Sequence, residues 1–308
     1  DNTCTYCIVP SVRGKEISRP FSDIVDEVAA LARDGVTEIS LLGQNVNSYG
    51  RDLSLDARRA GDVDIKLRPQ FGELLRAVGA VDGIRRVRYT SPHPNDFSDR
   101  VIAAMAEVPT VCEHIHLPMQ SGSTSMLKKM LRRYSREDYL ACVERMRAAI
   151  PGLALTTDII VGFPSETDEE FADTLSLCQE VRFDDAFMFK FSPREGTPAT
   201  RMPAEWTIPD ELVATRFEFL LKTVRGISRE NNLRRLGDTV EVLIEKIARD
   251  GQLLQARSRD FKTIMVPADA GAIGDYLTVK LTGTTGATFV GTPVVEQTER
   301  KPLPMMAG

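Results

Sequence analysis

Apolar residues Ile24, Val25, Val28, Leu31 and Ala32 recur at helical spacing, which predicts a helix capped by Ser22 and stopped by Gly35. The next apolar run, 37–42, is short and predicts a strand ending at Gly43. Residues 51–68 are polar and charged and predict a loop insertion. The alternation then repeats, with helices at 71–81, 98–107, 124–149 and 168–180 preceding strands at 87–90, 113–117, 153–161 and 186–191. Apolar strands alternating with helices predict a parallel sheet covered on both faces, curved into a barrel or partial barrel. In such folds the functional residues gather at the C-terminal ends of the strands. The polar Gly- and Pro-bearing turns fall there: Gly43-Gln44-Asn45, Ser91-Pro92-His93-Pro94, Pro118-Met119-Gln120-Ser121-Gly122, Gly162-Phe163-Pro164-Ser165-Glu166 and Ser192-Pro193. A long helix at 210–236 closes this pattern. Beyond Gly237 the helical period disappears, and short apolar runs at 240–247, 253–258, 263–266, 276–284 and 288–295 predict a small all-β module, read as a barrel.

Composition narrows the class. The chain has 308 residues, of which 42% are hydrophobic and 27% charged, with 44 acidic against 39 basic side chains. That describes a folded globular protein with room for more than one core, not a disordered chain. No run of apolar residues is long enough to span a membrane, and no basic-then-apolar leader opens the chain. The five cysteines are odd in number and unevenly spread, with Cys4 and Cys7 together and Cys112, Cys142 and Cys178 far apart. A disulfide framework is not arranged so, and a reducing cytoplasmic setting is expected. The mild acidity argues against a general nucleic-acid binder. The chain starts at Asp1 with its most chemical motif in the first seven residues, which suggests a fragment.

Two thiols three positions apart, Cys4 and Cys7, can share an iron–sulfur cluster, bind zinc with two further ligands, or form a redox dithiol. His114 and His116 are the candidates for completing a zinc site, but a buried strand is expected to send them to opposite faces. Spacing alone leaves the three readings open.

The surrounding words carry more. Cys4-Thr5-Tyr6-Cys7, followed by Ile8-Val9-Pro10 and Arg13-Gly14, resembles the tail of the radical S-adenosylmethionine signature Cys-x-x-x-Cys-x-x-Cys, whose first cysteine would stand immediately before Asp1. The segments Leu42-Gly43-Gln44-Asn45-Val46-Asn47-Ser48-Tyr49-Gly50, Tyr89-Thr90-Ser91-Pro92-His93-Pro94, His116-Leu117-Pro118-Met119-Gln120-Ser121-Gly122-Ser123 and 158–167 resemble the methylthiotransferases that modify transfer RNA. The resemblance covers essentially the whole chain. Residues 43–50 are most similar to the branch acting on isopentenyl-adenosine beside the anticodon; the relatives acting on a ribosomal protein differ there.

The resemblance implies a fold, a chemistry and a set of residues. The fold is an α/β partial (β/α)6 barrel of the radical SAM type at 1–236, its first strand absent, then an RNA-binding, TRAM-like β-barrel at 237–300 and a tail at 301–308. Cys4 and Cys7 are implied ligands of a [4Fe–4S] cluster that opens one iron to S-adenosylmethionine. Electron transfer would then give a deoxyadenosyl radical that abstracts hydrogen from adenine C2, where a methylthio group is delivered. A second [4Fe–4S] cluster is implied in an amino-terminal domain outside this chain. Tyr6, Gln44, Asn45, Gln120, Ser121 and Asp158 are the implied cofactor contacts. tRNA and an electron donor such as flavodoxin or ferredoxin are the implied partners. The competing readings are a methylthiotransferase acting on a ribosomal protein and a non-catalytic RNA-binding fragment.

Plainer roles stand beside these. Gln44 and Asn45 can simply cap a turn, Gln120 and Ser121 can open the next helix with Ser123 as its cap, and Glu166 can be a helix-start charge. Asp158, within an apolar strand, needs a ligand or a nearby Arg. Cys112, Cys142 and Cys178 read as small buried hydrophobes. Lys128, Lys129, Arg132, Arg133 and Arg136 form a basic run that reads as a solvated helix face or a phosphate contact. In the β module, Arg257, Arg259 and Lys262 with Phe261 form the candidate RNA patch.

Overall fold

The computed structural model describes residues 3–59, 69–249 and 251–294. The tail 301–308, the end of the β module and residues 60–68 of the expected insertion lie outside the described residues. Two compact units result, Asp1–Asn231 and Asn232–Gly308.

The first unit opens with a short helix α1 (Val9–Arg13), then α2 (Phe21–Arg33) and β1 (Glu38–Leu41). Pro20, not Ser22, holds the N-cap position of α2, two residues earlier than the serine suggests; its extended backbone leads into the helix without a side-chain cap bond. The expected loop insertion is partly a helix, α3 (Arg51–Arg59), whose charged sequence still has an amphipathic period. Next come α4 (Phe71–Gly79), β2 (Arg86–Tyr89), α5 (Asp99–Glu107) and β3 (His114–His116). The expected long helix at 124–149 is two, α6 (Thr124–Lys129) and α7 (Arg136–Ala149). Leu131 adopts φ +55° between them, and a Ser135/Asp138 capping box restarts the helix. Then follow β4 (Ala154–Val161), α8 (Asp168–Val181), β5 (Asp185–Lys190) and α9 (Asp210–Arg234).

All sheet pairings of this unit are parallel: β1 with β2, and β3 with β4 with β5. An isolated parallel bridge from Val87 to Val111 ties β2 to the segment that leads into β3. One face of every strand joins a single apolar core under the helices, including Ile39, Val87, Ile115, Leu155, Ile159, Val161 and Ala186. The opposite face is polar and partly open, with Glu38, Arg86, Arg88, His114, His116, Thr156, Asp158 and Phe187. Residues two apart on a strand share a face, so His114 and His116 lie together, and each ring bonds the Thr156 hydroxyl, at 3.2 and 2.9 Å. The expectation of opposite faces was an error of period.

Two close approaches lock the rim. A Cβ on Gly122 would stand 2.5 Å from the Asp173 carbonyl oxygen, so only glycine lets this turn lie against α8. Gly162 has φ +76° and lies under Val213 of α9.

The second unit contains β6 (Thr239–Ile247), β7 (Leu253–Ser258), β8 (Thr263–Pro267), β9 (Tyr276–Thr284) and β10 (Phe289–Pro293). They close into a barrel in the order β10-β8-β7-β6-β9. Alternate residues Val242, Ile244, Leu254, Ala256, Ile264, Val266, Val279, Leu281 and Phe289 fill its interior.

Candidate functional site

The Cys4–Cys7 loop is a turn, closed by the Cys7 amide donating to the Cys4 carbonyl at 3.2 Å. It is pinned from both sides. Thr5 donates its amide to the Met130 carbonyl at 3.2 Å and its hydroxyl to that of Lys129 at 3.1 Å, while Ala199 donates to the Thr5 carbonyl at 2.9 Å. The end of α6 therefore positions both thiols at the C-terminal rim of the parallel strands.

There a cleft of about 350 Å³ is lined by Cys4, Tyr6, Cys7, Gln44, Asn45, Ser91, His93, Gln120 and Arg132, among others. A second cleft of about 470 Å³ adjoins it and shares Gly14, Glu16, Gln44 and Asn45. The rim turns hold unusual backbone: Ser91 has φ +59° and Gln120 φ +66°, both within the first cleft. Non-glycine residues rarely adopt such angles, and they concentrate where a turn must aim side chains or amides.

Of the expected contacts, Tyr6, Gln44, Asn45 and Gln120 meet in this cleft with Cys4 and Cys7. Asn45 is buried; its Nδ2 donates to Asp96 at 2.7 Å, whereas its Oδ1 has no hydrogen-bond partner among the described residues. Burial alone would raise Asp96, but hydrogen bonds from Asn45 and Arg51 hold its carboxyl below the usual range. That charge fixes which end of the Asn45 amide is left over as an acceptor. Burial pushes the Tyr6 hydroxyl well up, with Arg132 opposing it, and the ring packs edge-on to Phe163 at 6.3 Å.

Ser121 and Asp158 are not brought to the cleft. Ser121 is buried against Thr174 at 3.2 Å and accepts from the Ser123 amide. Ser123 occupies the N-cap of α6 without a side-chain cap bond. Asp158 lies on the open inner face, its carboxylate 3.1 Å from His116 Nε2 rather than beside an arginine. The exposed Phe187 ring stands 5.7 Å from His116 on the same face. Glu166 is more than a helix-start charge: its buried carboxylate bonds Arg216 at 3.0 Å and accepts the Gly162 amide at 2.9 Å.

Two residues of the cleft stand outside the expected cofactor contacts. His93 lines the cleft, accepts from the Asn95 amide, and is pushed down to about 4 by burial, with Arg132 adding to the effect. Arg132 donates to Cys4 Sγ at 3.1 Å. The signal that could have found it is the capping box at Ser135 and Asp138, which marks a helix start and so places Arg132 in a turn. The basic run is dispersed accordingly: Lys129 pairs with Glu170 and Arg136 with Glu180.

In the barrel unit, Arg257 lies 4.5 Å over the half-exposed Phe261 ring and pairs with Glu245 through two 3.0 Å bonds. Lys262 is only 8% exposed, which removes it from the surface patch expected there. Arg259 is half-buried.

The model of the radical SAM superfamily matches residues 1–178. The chain is 48% identical over 282 residues to the tRNA-2-methylthio-N(6)-dimethylallyladenosine synthase of Acetivibrio thermocellus, covering 91% of this chain and 56% of that protein. It is 51% identical over 244 residues to the enzyme of the same name from Streptomyces viridosporus, covering 79% and 46%. The chain thus spans about half the length of the curated relatives it matches. Among solved structures, coproporphyrinogen III oxidase from Escherichia coli, a radical SAM enzyme, superposes with a TM-score of 0.48 at 12% identity over 84% of this chain and 64% of that one. With more than half its residues matched by the family model and its paired thiols set at the strand rim, the chain belongs to the radical SAM superfamily.

Proposed function

We propose that this chain forms the core and RNA-binding parts of a radical S-adenosylmethionine methylthiotransferase that modifies C2 of isopentenyl-adenosine next to the tRNA anticodon. The observation that carries this reading is the meeting of Cys4, Cys7, Gln44, Asn45 and Gln120 in one rim cleft. The curated relatives at 48% and 51% identity, both named for the tRNA product, favour tRNA over a ribosomal protein.

The residues present fit the cofactors of the superfamily. The two thiols supply two ligands of a [4Fe–4S] cluster, and the unpartnered Asn45 Oδ1 offers an acceptor for the ammonium group of S-adenosylmethionine. In this reading the third ligand is the cysteine that the radical S-adenosylmethionine signature implies immediately before Asp1; among the described residues no group of three His, Cys, Asp or Glu side chains gathers to hold a metal. His114 and His116 do not join Cys4 and Cys7, which leaves the zinc reading without a ligand set. When bound, the cluster and S-adenosylmethionine supply one-electron cleavage of the sulfonium. The chain's own residues hold the thiols through Thr5, orient Asn45 through Asp96, and keep the neutral His93 ring against the cleft wall. The inner face with His116, Asp158 and Phe187 is the surface on which the substrate base would lie, with Phe187 offering a stacking plane. In this reading five described parallel strands complete a (β/α)6 barrel with an upstream strand, the upstream domain carries a second cluster, and a flavodoxin or ferredoxin donates the electron. The closed β-barrel contributes tRNA contact through the Arg257–Phe261 stack and Arg259.

The test is methylthio incorporation. The full-length protein, reconstituted with iron and sulfide and given S-adenosylmethionine and reductant, is expected to add the group to isopentenyl-adenosine tRNA and not to ribosomal protein. Cys4→Ala is expected to abolish it. Modification of ribosomal protein alone overturns the substrate assignment, and failure to cleave S-adenosylmethionine at all leaves only RNA binding.

A further inference from the structure

Arg132 differs from the two other half-buried bases of its run, Lys129 and Arg136. These two, on either side of it, pair with Glu170 and Glu180. Arg132 is half-buried, and its hydrogen bonds go instead to the Tyr134 hydroxyl at 3.0 Å, the Pro118 carbonyl at 3.3 Å and Cys4 Sγ at 3.1 Å. Its guanidinium also lies 5.4 Å from the centre of the Tyr134 ring. None of these partners is a carboxylate. A cation drawn partly out of water calls for a compensating negative charge, and the one partner able to carry it is the Cys4 sulfur, which a metal deprotonates outright. The turn after α6, with Leu131 at φ +55°, is what takes Arg132 off the helix surface and aims it at this sulfur.

We propose that Arg132 is a positioning residue for the metal centre of the cleft: its N–H···S bond and positive charge hold the Cys4 ligand and raise the reduction potential of the cluster that Cys4 binds. This rests on the reading of Cys4 as a cluster ligand. One-electron reduction adds a negative charge to the cluster, and a fixed cation with a donor on the ligating sulfur stabilises the reduced form more than the oxidised one. The guanidinium's planar fork is needed because the same group must reach a carbonyl, a hydroxyl and a sulfur at once, which an ammonium on a flexible stem does less well.

The test is an anaerobic redox titration of the reconstituted full-length protein, without S-adenosylmethionine, using dithionite as electron source and electron paramagnetic resonance as readout. Arg132→Met is expected to disfavour reduction by at least tenfold, a fall of about 59 mV for one electron. Arg132→Lys should fall between it and the wild type. Iron content and the thermal transition control for folding. Tyr134→Phe, which removes the hydroxyl that accepts from the guanidinium and that itself donates to the Pro118 and Met119 carbonyls, should shift the potential in the same direction by less, and it serves where the methionine variant does not fold. A cluster whose potential is unchanged in the folded variants overturns this inference alone. A wild-type protein that assembles no cluster overturns it together with the assignment of Cys4.

Discussion

Cys142 and Cys178 are pushed up by burial to about 11 and about 12, so at neutral pH they remain protonated and inert. Cys112 is buried too, whereas Cys7 is half-exposed at the cleft. Iodoacetamide treatment of the native chain near neutral pH should therefore label Cys7 first, with Cys112, Cys142 and Cys178 labelled only after unfolding; peptide mass spectrometry reads the order. His93 gives a pH signature. Its folded value of about 4 lies below the ordinary imidazole value of about 6.5, so the unfolded chain binds a proton that the folded site refuses. Stability from this group is complete above about 6.5 and declines as the pH falls toward 4. The urea midpoint should drop between pH 7.5 and pH 5, and His93→Asn should make that drop smaller. At this scale the thiol classes were legible from spacing, because paired and scattered cysteines differ along the chain. The roles of His93 and Arg132 were not, since each depends on what other segments bring within a few ångströms.

At the scale of elements, the α8 entrance is held by the buried Glu166–Arg216 pair, 3.0 Å apart, with a second bond from Arg216 to Asp168 at 2.7 Å. Removing one partner leaves a buried charge, so Arg216→Met should cost about 3–5 kcal/mol in urea unfolding, and the double variant with Glu166→Gln should recover part of it. Gly122→Ala, which drives a Cβ into the Asp173 backbone, should cost about 1–3 kcal/mol by the same measurement. The strands were readable because their apolar runs are short and flanked by turn residues, and their observed ends lie within two positions of the expectation, those of β7 and β9 on it. The split of 124–149 was misread because Leu127, Met130 and Leu131 continue the helical period through the break. Local periodicity does not register a positive φ at Leu131 or the capping box that follows.

At the scale of the molecule, the two compact units have separate apolar cores. The single tryptophan, Trp206, belongs to the first unit, where its carbonyl accepts the Ser165 amide at 2.7 Å. Phe289→Ala in the barrel core should cost about 3–5 kcal/mol locally. Far-ultraviolet circular dichroism of the barrel strands should then melt earlier while Trp206 fluorescence holds its midpoint; a common shift of both would mean that the units unfold as one. Among the described residues no helix is long and apolar enough to cross a membrane.

The chain order of hydrophobic and polar residues determined the α/β alternation, the all-β character of the second unit and the placing of Gln44, Asn45 and Gln120 after strands, because periodicity and turn chemistry are local properties. The paired spacing of Cys4 and Cys7 was local as well. Only the tertiary structure decided which of the marked residues share a cleft, that Asp158 faces His116, that Ser121 and Lys262 are buried, and that Arg132 meets Cys4 across 128 positions of sequence. Those outcomes depend on where packed helices and strands bring distant segments together, and no local pattern encodes a distance of that kind.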